Sequence, residues 1–258
     1  MNNLTGQAVW ITGAGSGIGR GIAIAFAAAG CRVVISGRTE PALRETARLA
    51  GGTIHVVPTD VTVAAQVTRA HAAVLATIGE PDILINNAGA NAKRRHWAQL
   101  SAMDVDAVVN VNLKGPFLCT LAVLPGMRAR RAGTIMHVAS LAATGIFTVT
   151  GPTYTATKFA VRAMSATLNA EEGIHGIRSI CINPGEVATA IMDSRPRPPS
   201  AEERAIMVQP EDIAAACVFA AQLPARTCMA EMTIVPTDNQ FYRASAQAIA
   251  NLPIAAQS

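Results

Sequence analysis

Aromatic side chains are scarce in this sequence: six Phe, two Tyr and two Trp make up only 4% of its 258 residues. Charged residues are few as well, at 15%, and the balance is basic, with a net charge of +4 and a pI near 9.0. The Lys and Arg residues form no long stripe and few aromatics stand among them, which argues against a nucleic-acid partner. Their longest cluster, Arg128, Arg130 and Arg131, reads as a solvated helix end. Long hydrophobic runs are missing too. Half the residues are apolar, but the apolar stretches are interrupted every few positions, and none reaches the roughly 20 residues needed to span a bilayer. The opening MNNLTGQAVW has no basic segment followed by an apolar run and a small-residue cleavage site, so no membrane partner and a cytoplasmic location are expected. The five cysteines, Cys31, Cys119, Cys181, Cys217 and Cys228, contain no C-x-x-C pair and read as buried thiols in a reducing compartment. The five histidines show no ligand constellation, so no metal is expected.

What is present is an alternation of short β-branched runs with longer Ala-rich segments of helical spacing, the pattern of βαβ units. Strands are expected at Ala8 to Thr12, Arg32 to Ser36, Ile54 to Val57, Ile83 to Asn86, Thr134 to Val138, Ile177 to Ile182 and Met232 to Val235. Helices fit between them at Ile18 to Ala29, Glu40 to Ala50, Ala64 to Ile78, Met103 to Arg131, Tyr154 to Glu172 and Pro210 to Leu223, with Gly30 and Gly173 as helix stops. Strands that read as continuous apolar runs belong to a parallel sheet covered on both faces. The expected fold is therefore α/β: one doubly wound, Rossmann-like domain over residues 1–258, with a seven-stranded parallel sheet. The segment near residues 186–208 lacks either periodicity and holds Arg195, Pro196, Arg197, Pro198 and Pro199. Because it follows a strand end, where open α/β sheets bind ligands, it is expected to be a mobile substrate lid.

The first strand runs into Thr12-Gly13-Ala14-Gly15-Ser16-Gly17-Ile18-Gly19, and an amphipathic helix follows. The spacing is G-x-x-x-G-x-G, formed by Gly13, Gly17 and Gly19; G-x-G-x-x-G fits no register. Glycines let the chain turn tightly, let backbone amides approach a pyrophosphate, and let the helix pack closely on the strand. The helix N-terminus stabilises the negative charge. At the end of the second strand, Ser36-Gly37-Arg38-Thr39 has no carboxylate for a ribose diol. Arg38 stands there instead, with Ser36 and Thr39 as possible hydrogen-bond donors, so a 2′-phosphate is the better match and NADP(H) the expected cofactor.

Together with Asp60-Val61, Asn86-Asn87-Ala88-Gly89, Asn112, Ser140, Tyr154-x-x-x-Lys158 and Pro184-Gly185, this turn resembles the short-chain dehydrogenase/reductase family, in the correct order from about Gln7 to Thr189. The resemblance implies that Asp60 and Val61 contact adenine and that Asn87, Ala88 and Gly89 form the ribose-side wall. It further implies that Pro184, Gly185, Val187 and Thr189 hold the nicotinamide amide and pyrophosphate, and that Lys158 contacts the nicotinamide ribose. Tyr154 and Lys158 are four residues apart, so on one helix they share a face. A phenol with an ordinary pKa near 10 is a poor base, and a nearby ammonium favours the phenolate. Tyr154 is thus the expected general acid/base for a carbonyl or alcohol substrate. Ser140 holds the substrate oxygen, and the family reading of Asn112 is that it positions a water next to the lysine.

The sequence departs from the family's β-ketoester reductases near its end, where Thr237-Asp238-Asn239-Gln240 replaces their Asp-Gly-Gly or Asn-Gly-Gly turn. Arg94, Arg95 and His96 follow the Asn-Asn-Ala-Gly turn and, with Arg195 and Arg197, suit an anionic substrate. A catalytically idle NADP-binding sensor is the alternative, but it would be expected to lack the tyrosine or the lysine. A homodimer or homotetramer, built through the helices at Met103 to Arg131 and Tyr154 to Glu172, is implied by the resemblance.

Overall fold

The computed structural model describes residues 1–194, 198–239 and 243. Seven strands form one parallel sheet: β1 (Ala8–Thr12), β2 (Arg32–Gly37), β3 (Ile54–Pro58), β4 (Ile83–Asn86), β5 (Gly133–Val138), β6 (Ile177–Pro184) and β7 (Glu231–Ile234). Their spatial order is β3-β2-β1-β4-β5-β6-β7, with every neighbouring pair parallel. The helices are α1 (Gly17–Ala28), α2 (Glu40–Leu49), α3 (Ala64–Ile78), α4 (Ala102–Val109), α5 (Gly115–Arg130), α6 (Pro152–Glu172), α7 (Ala201–Ala205) and α8 (Pro210–Gln222).

The apolar runs make two cores because successive side chains of a strand point to opposite faces. On one face Val9, Ile11, Val33, Ile35, Ile180 and Ile182 pack with Ile22 and Phe26 of α1 and Ile213 and Cys217 of α8. On the other, Trp10, Val34, Leu84 and Ile135 pack with Val67, Val74 and Ile78 of α3 and Val123 and Met127 of α5. The chain runs outward from β1 to β3 and then returns to β4, so β1 and β4 flank the switch point that opens a crevice at their carboxyl ends.

Several local expectations change. The long helix is divided: α4 and α5 are joined by a π-turn at Asn110–Lys114, in which Gly115 N–H bonds Asn110 O. The whole stretch Ala102–Arg130, 29 residues, is long and apolar enough to cross a membrane by length and composition. Its apolar side chains Cys119, Val123 and Met127 are nevertheless fully buried against the sheet. α6 ends at Glu172 with Gly173 as its C-cap, as expected, but a 3-10 turn, Gly173–His175, follows, and the left-handed residue is Gly176, φ 71°. Within 186–208 the described residues hold a 3-10 helix, Ala190–Ser194, and the capped α7, so that stretch has local structure. Residues 195–197 lie outside the described residues.

The arginine cluster is the exposed end of α5, as expected, and each of its members also bonds within the fold. Arg128 pairs with the buried Glu172, Arg130 donates to Pro81 O at 2.8 Å, and Arg131 donates to Ile174 O at 2.7 Å. Four cysteines are buried, but Cys228 is exposed.

Candidate active site

The turn after β1 is held by the turn after β4. Asn87 Nδ2 donates to Gly13 O at 2.9 Å and to Thr12 O at 3.2 Å, while Thr12 Oγ1 accepts from Asn87 N and Ala88 N. This approach leaves no room for a side chain. A Cβ on Gly13, where φ is 67°, would lie 2.6 Å from Ala88 Cα, and one on Gly19 would lie 2.3 Å from Asn87 Nδ2. From the other side Thr46 donates to Ala14 O and Arg20 to Gly15 O. Ser16, the N-cap of α1, is exposed and makes no side-chain capping bond, and the first turn of the helix carries no acid. The helix N-terminus is therefore left free to meet an anion.

A cavity of about 460 Å³ opens over this turn, within the range of small-ligand sites. Gly13, Ser16, Gly17 and Ile18 line it; Gly19 stands behind the wall, packed on Asn87. Arg38 and Thr39 line it at the tip of β2. Ser36 does not: it is fully buried, with its hydroxyl accepting from the Trp10 indole at 2.9 Å, and so does not reach the cavity. Asp60 and Val61 line the neighbouring wall, where Asp60 Oδ1 accepts from both the amide and the hydroxyl of Thr62. Asn87, Ala88 and Gly89 line the floor, and Pro184, Gly185, Val187 and Thr189 close the opposite side. Thr189 Cγ2 lies 3.0 Å from where a Cβ of Gly17 would stand, so the two walls meet at the glycine turn.

Ser140, Tyr154 and Lys158 open onto the same cavity. Ser140 caps the 3-10 helix Leu141–Ala143 by accepting from Ala142 N at 3.1 Å, which leaves its hydroxyl proton to donate elsewhere. Lys158 is buried, donates to Val138 O at 2.9 Å, and sits 5.4 Å from the centroid of the Tyr154 ring. Burial pushes its pKa down to about 8, with the nearby Cys181 thiol opposing that shift. Beneath it, Asn86, His137 and Cys181 share one register row across β4, β5 and β6. His137 is wholly buried, and desolvation, aided by the Lys158 charge, holds its pKa at about 3.

Asn112 does not line the cavity. It sits in the π-turn, buried, with Oδ1 accepting from Ala90 N and Nδ2 donating to Ala90 O and Thr157 Oγ1. It joins the loop after β4 to α6 from behind. That loop contributes cavity residues absent from the sequence reading, chiefly Asn91, while Ile191 and Met192 come from the 3-10 helix after β6. Asn91 directly continues the Asn-Asn-Ala-Gly turn, a proximity that could have singled it out; Ile191 and Met192 carry no sequence signal. Of the basic residues named for an anion, Arg95 lines the cavity, whereas Arg94 is exposed and pairs with Asp104, and His96 is exposed. Arg195 and Arg197 lie outside the described residues.

The sheet order and the crevice at its switch point define a doubly wound α/β protein of the nucleotide-binding kind. The chain matches the short chain dehydrogenase family model over residues 7–199 and belongs to that family, as an oxidoreductase. It is 33% identical over 237 residues to an uncharacterized oxidoreductase of Staphylococcus aureus, covering 92% of this chain and 100% of the relative. Among solved structures it resembles a closed form of serine dehydrogenase complexed with NADP+, at TM-score 0.81 and 28% identity over 96% of this chain and 99% of that one. It also resembles the 3-ketoacyl-(acyl-carrier-protein) reductase of Brucella melitensis complexed with NADH, at TM-score 0.80 and 29% identity over 90% and 98%.

Proposed function

We propose that the chain is an NADP(H)-dependent oxidoreductase that interconverts a carbonyl compound and a secondary alcohol, with Tyr154 as general acid/base. The observation that carries this reading is that Tyr154, Lys158 and Ser140 open onto the same cavity as the glycine turn. That turn fits a pyrophosphate: a Cβ on Gly13 would meet the Ala88 backbone and one on Gly19 the Asn87 side chain, and the α1 N-terminus faces the cavity without an acid. Gly13, Ser16, Gly17 and Ile18 would hold the phosphates, Asp60 and Val61 the adenine, and Pro184, Gly185, Val187 and Thr189 the nicotinamide side. Arg38, exposed at the tip of β2 where Ser36-Gly37-Arg38-Thr39 offers no carboxylate, favours a 2′-phosphate. When bound, the nicotinamide accepts or supplies the hydride.

The protein's own part is to hold the reacting oxygen and move its proton. In reduction Tyr154 gives its phenolic proton to the forming alkoxide; in oxidation its phenolate takes the alcohol proton. Ser140 donates to the same oxygen and fixes its place. Lys158, as an ammonium beside the phenol, lowers the cost of the phenolate. Asn112 acts from behind by fixing the loop at Ala90. The whole chain serves as one nucleotide-binding and catalytic domain, with the segment after Thr189 as cover for the substrate. The partly exposed Phe117, Leu121 and Phe159 on α5 and α6 support pairing with a second copy, which light scattering would show as a species larger than about 27 kDa. The free thiols support a cytoplasmic location.

The test is a panel of ketones, aldehydes and acyl thioesters screened for NADPH oxidation, with NADH run in parallel. Turnover with NADPH is expected, and Tyr154→Phe is expected to abolish it while leaving NADPH fluorescence titrations nearly unchanged. Full activity in that variant would sink the assignment, and a strong preference for NADH would sink the role of Arg38.

A further inference from the structure

The charges lining the cavity are unevenly placed. Among the described residues the lining carries four charged side chains, Arg38, Asp60, Arg95 and Lys158, and its one acid, Asp60, is held by Thr62 on the wall after β3. On the side of Ser140 and Tyr154 the charged lining residues are both basic, Lys158 and Arg95. Glu186 is buried between two lining residues but does not itself face the cavity.

Arg95 is an unusual side chain to bury. It is 6% exposed, while Arg94 and His96 on either side are exposed. The loop that carries it is fixed at three points: Asn112 grips Ala90, Asn91 Nδ2 donates to Thr150 O at 2.9 Å, and the Arg95 carbonyl abuts Gly151. A Cβ on Gly151 would stand 2.3 Å from Arg95 O, and with φ at 77° that position accepts glycine readily and other residues poorly. Gly151 is the N-cap of α6, three residues before Tyr154. The root of the Arg95 side chain is thus fixed about one helical turn from the phenol, also beside the positive end of the α6 dipole. Arg95 has a partner within the chain, and the five N–H groups of a guanidinium leave donors for a ligand besides.

We infer that Arg95 is a specificity-determining residue: it holds the carboxylate of a short oxo acid or hydroxy acid whose reacting oxygen rests on Tyr154 and Ser140. The planar guanidinium matches a carboxylate with two parallel bonds. This inference rests on the function proposed above.

The experiment pairs oxo acids with their methyl esters, acetoacetate and pyruvate among them, as oxidants of NADPH, in the wild type, Arg95→Gln and Arg95→Lys. Acids are expected to exceed their esters in kcat/KM by about tenfold or more, the worth of one charge-assisted pair of bonds. Arg95→Gln should erase that ratio by raising KM for the acid alone, and Arg95→Lys should keep part of it. Esters equal to acids in the wild type, or a ratio indifferent to either substitution, overturns the inference and leaves the proposed function standing. If Arg95→Gln does not fold, the Arg95→Lys ratio decides. If no carbonyl compound oxidises NADPH, the proposed function fails, and calorimetric titration of succinate into the NADP+-saturated protein decides the point about Arg95. Heat in the wild type that is lost in the variants supports it; no heat overturns it.

Discussion

Asn112 grips both ends of one peptide residue: its Oδ1 accepts from Ala90 N at 2.8 Å and its Nδ2 donates to Ala90 O at 2.9 Å. The side chain thereby replaces a strand partner for the chain leaving β4. Asn112→Ala leaves those two backbone groups unpaired, at roughly 1–3 kcal/mol for each. Urea unfolding should show the loss, and kcat/KM should fall with it because the loop on the substrate side loses its anchor. Unchanged stability would show that the loop is held without Asn112.

Lys158 makes a pH-dependent claim on stability. Its folded pKa is about 8 against an ordinary 10.5, so between those values the unfolded chain binds more protons and stability rises with pH. At pH 7 both states are protonated, and the fold carries the full cost of a buried ammonium, roughly 3 kcal/mol. Lys158→Met should therefore raise the melting temperature of the ligand-free protein at pH 7 while abolishing turnover. The gain should shrink toward pH 10, and a variant less stable at pH 7 would contradict the assignment.

His137 acts at the acid end. It stays neutral in the fold down to about pH 3, whereas the unfolded imidazole protonates near its ordinary 6.5. Below pH 6.5 the unfolded state binds the extra proton, so this residue's contribution is lost progressively as pH falls toward 3, by several kcal/mol in all. His137→Asn should flatten the acid limb of a stability–pH curve, and an unaltered limb would show that other groups govern it.

Gly19 lines no ligand surface, yet a methyl group there has no space. Gly19→Ala should cost roughly 1–3 kcal/mol by overpacking and weaken NADPH binding by pushing Asn87 off the Gly13 carbonyl. Fluorescence titration and thermal melting measure the two effects separately.

Much of this was legible in the sequence. The strands at Ala8–Thr12 and Ile83–Asn86 have the bounds expected of them, because continuous apolar runs flanked by turn residues leave little choice. The glycine turn after β1 and the placing of Tyr154 and Lys158 on one helix along the same cavity were legible because both follow from local spacing. What escaped depends on distant contacts: the packing that buries Ser36 beside Trp10, the Glu172 bond that ties down Arg128, and Gly151 against Arg95. The π-turn left one trace, Pro116. It has no N–H to give the Asn112 carbonyl four residues back, where an α-helix would need one.

That turn also limits how this chain can change. A helix widened by one residue keeps two segments out of phase by about a third of a turn, α4 on one side and α5 on the other. Deleting a single residue between Asn110 and Lys114 would draw α4 and α5 into one regular helix, set Pro116 inside it with no N–H to donate, and rotate the Asn112 amide away from Ala90. The straighter helix would lose the anchor of the loop, so the spacing between α4 and α5 matters to the site as much as the Asn112 side chain does.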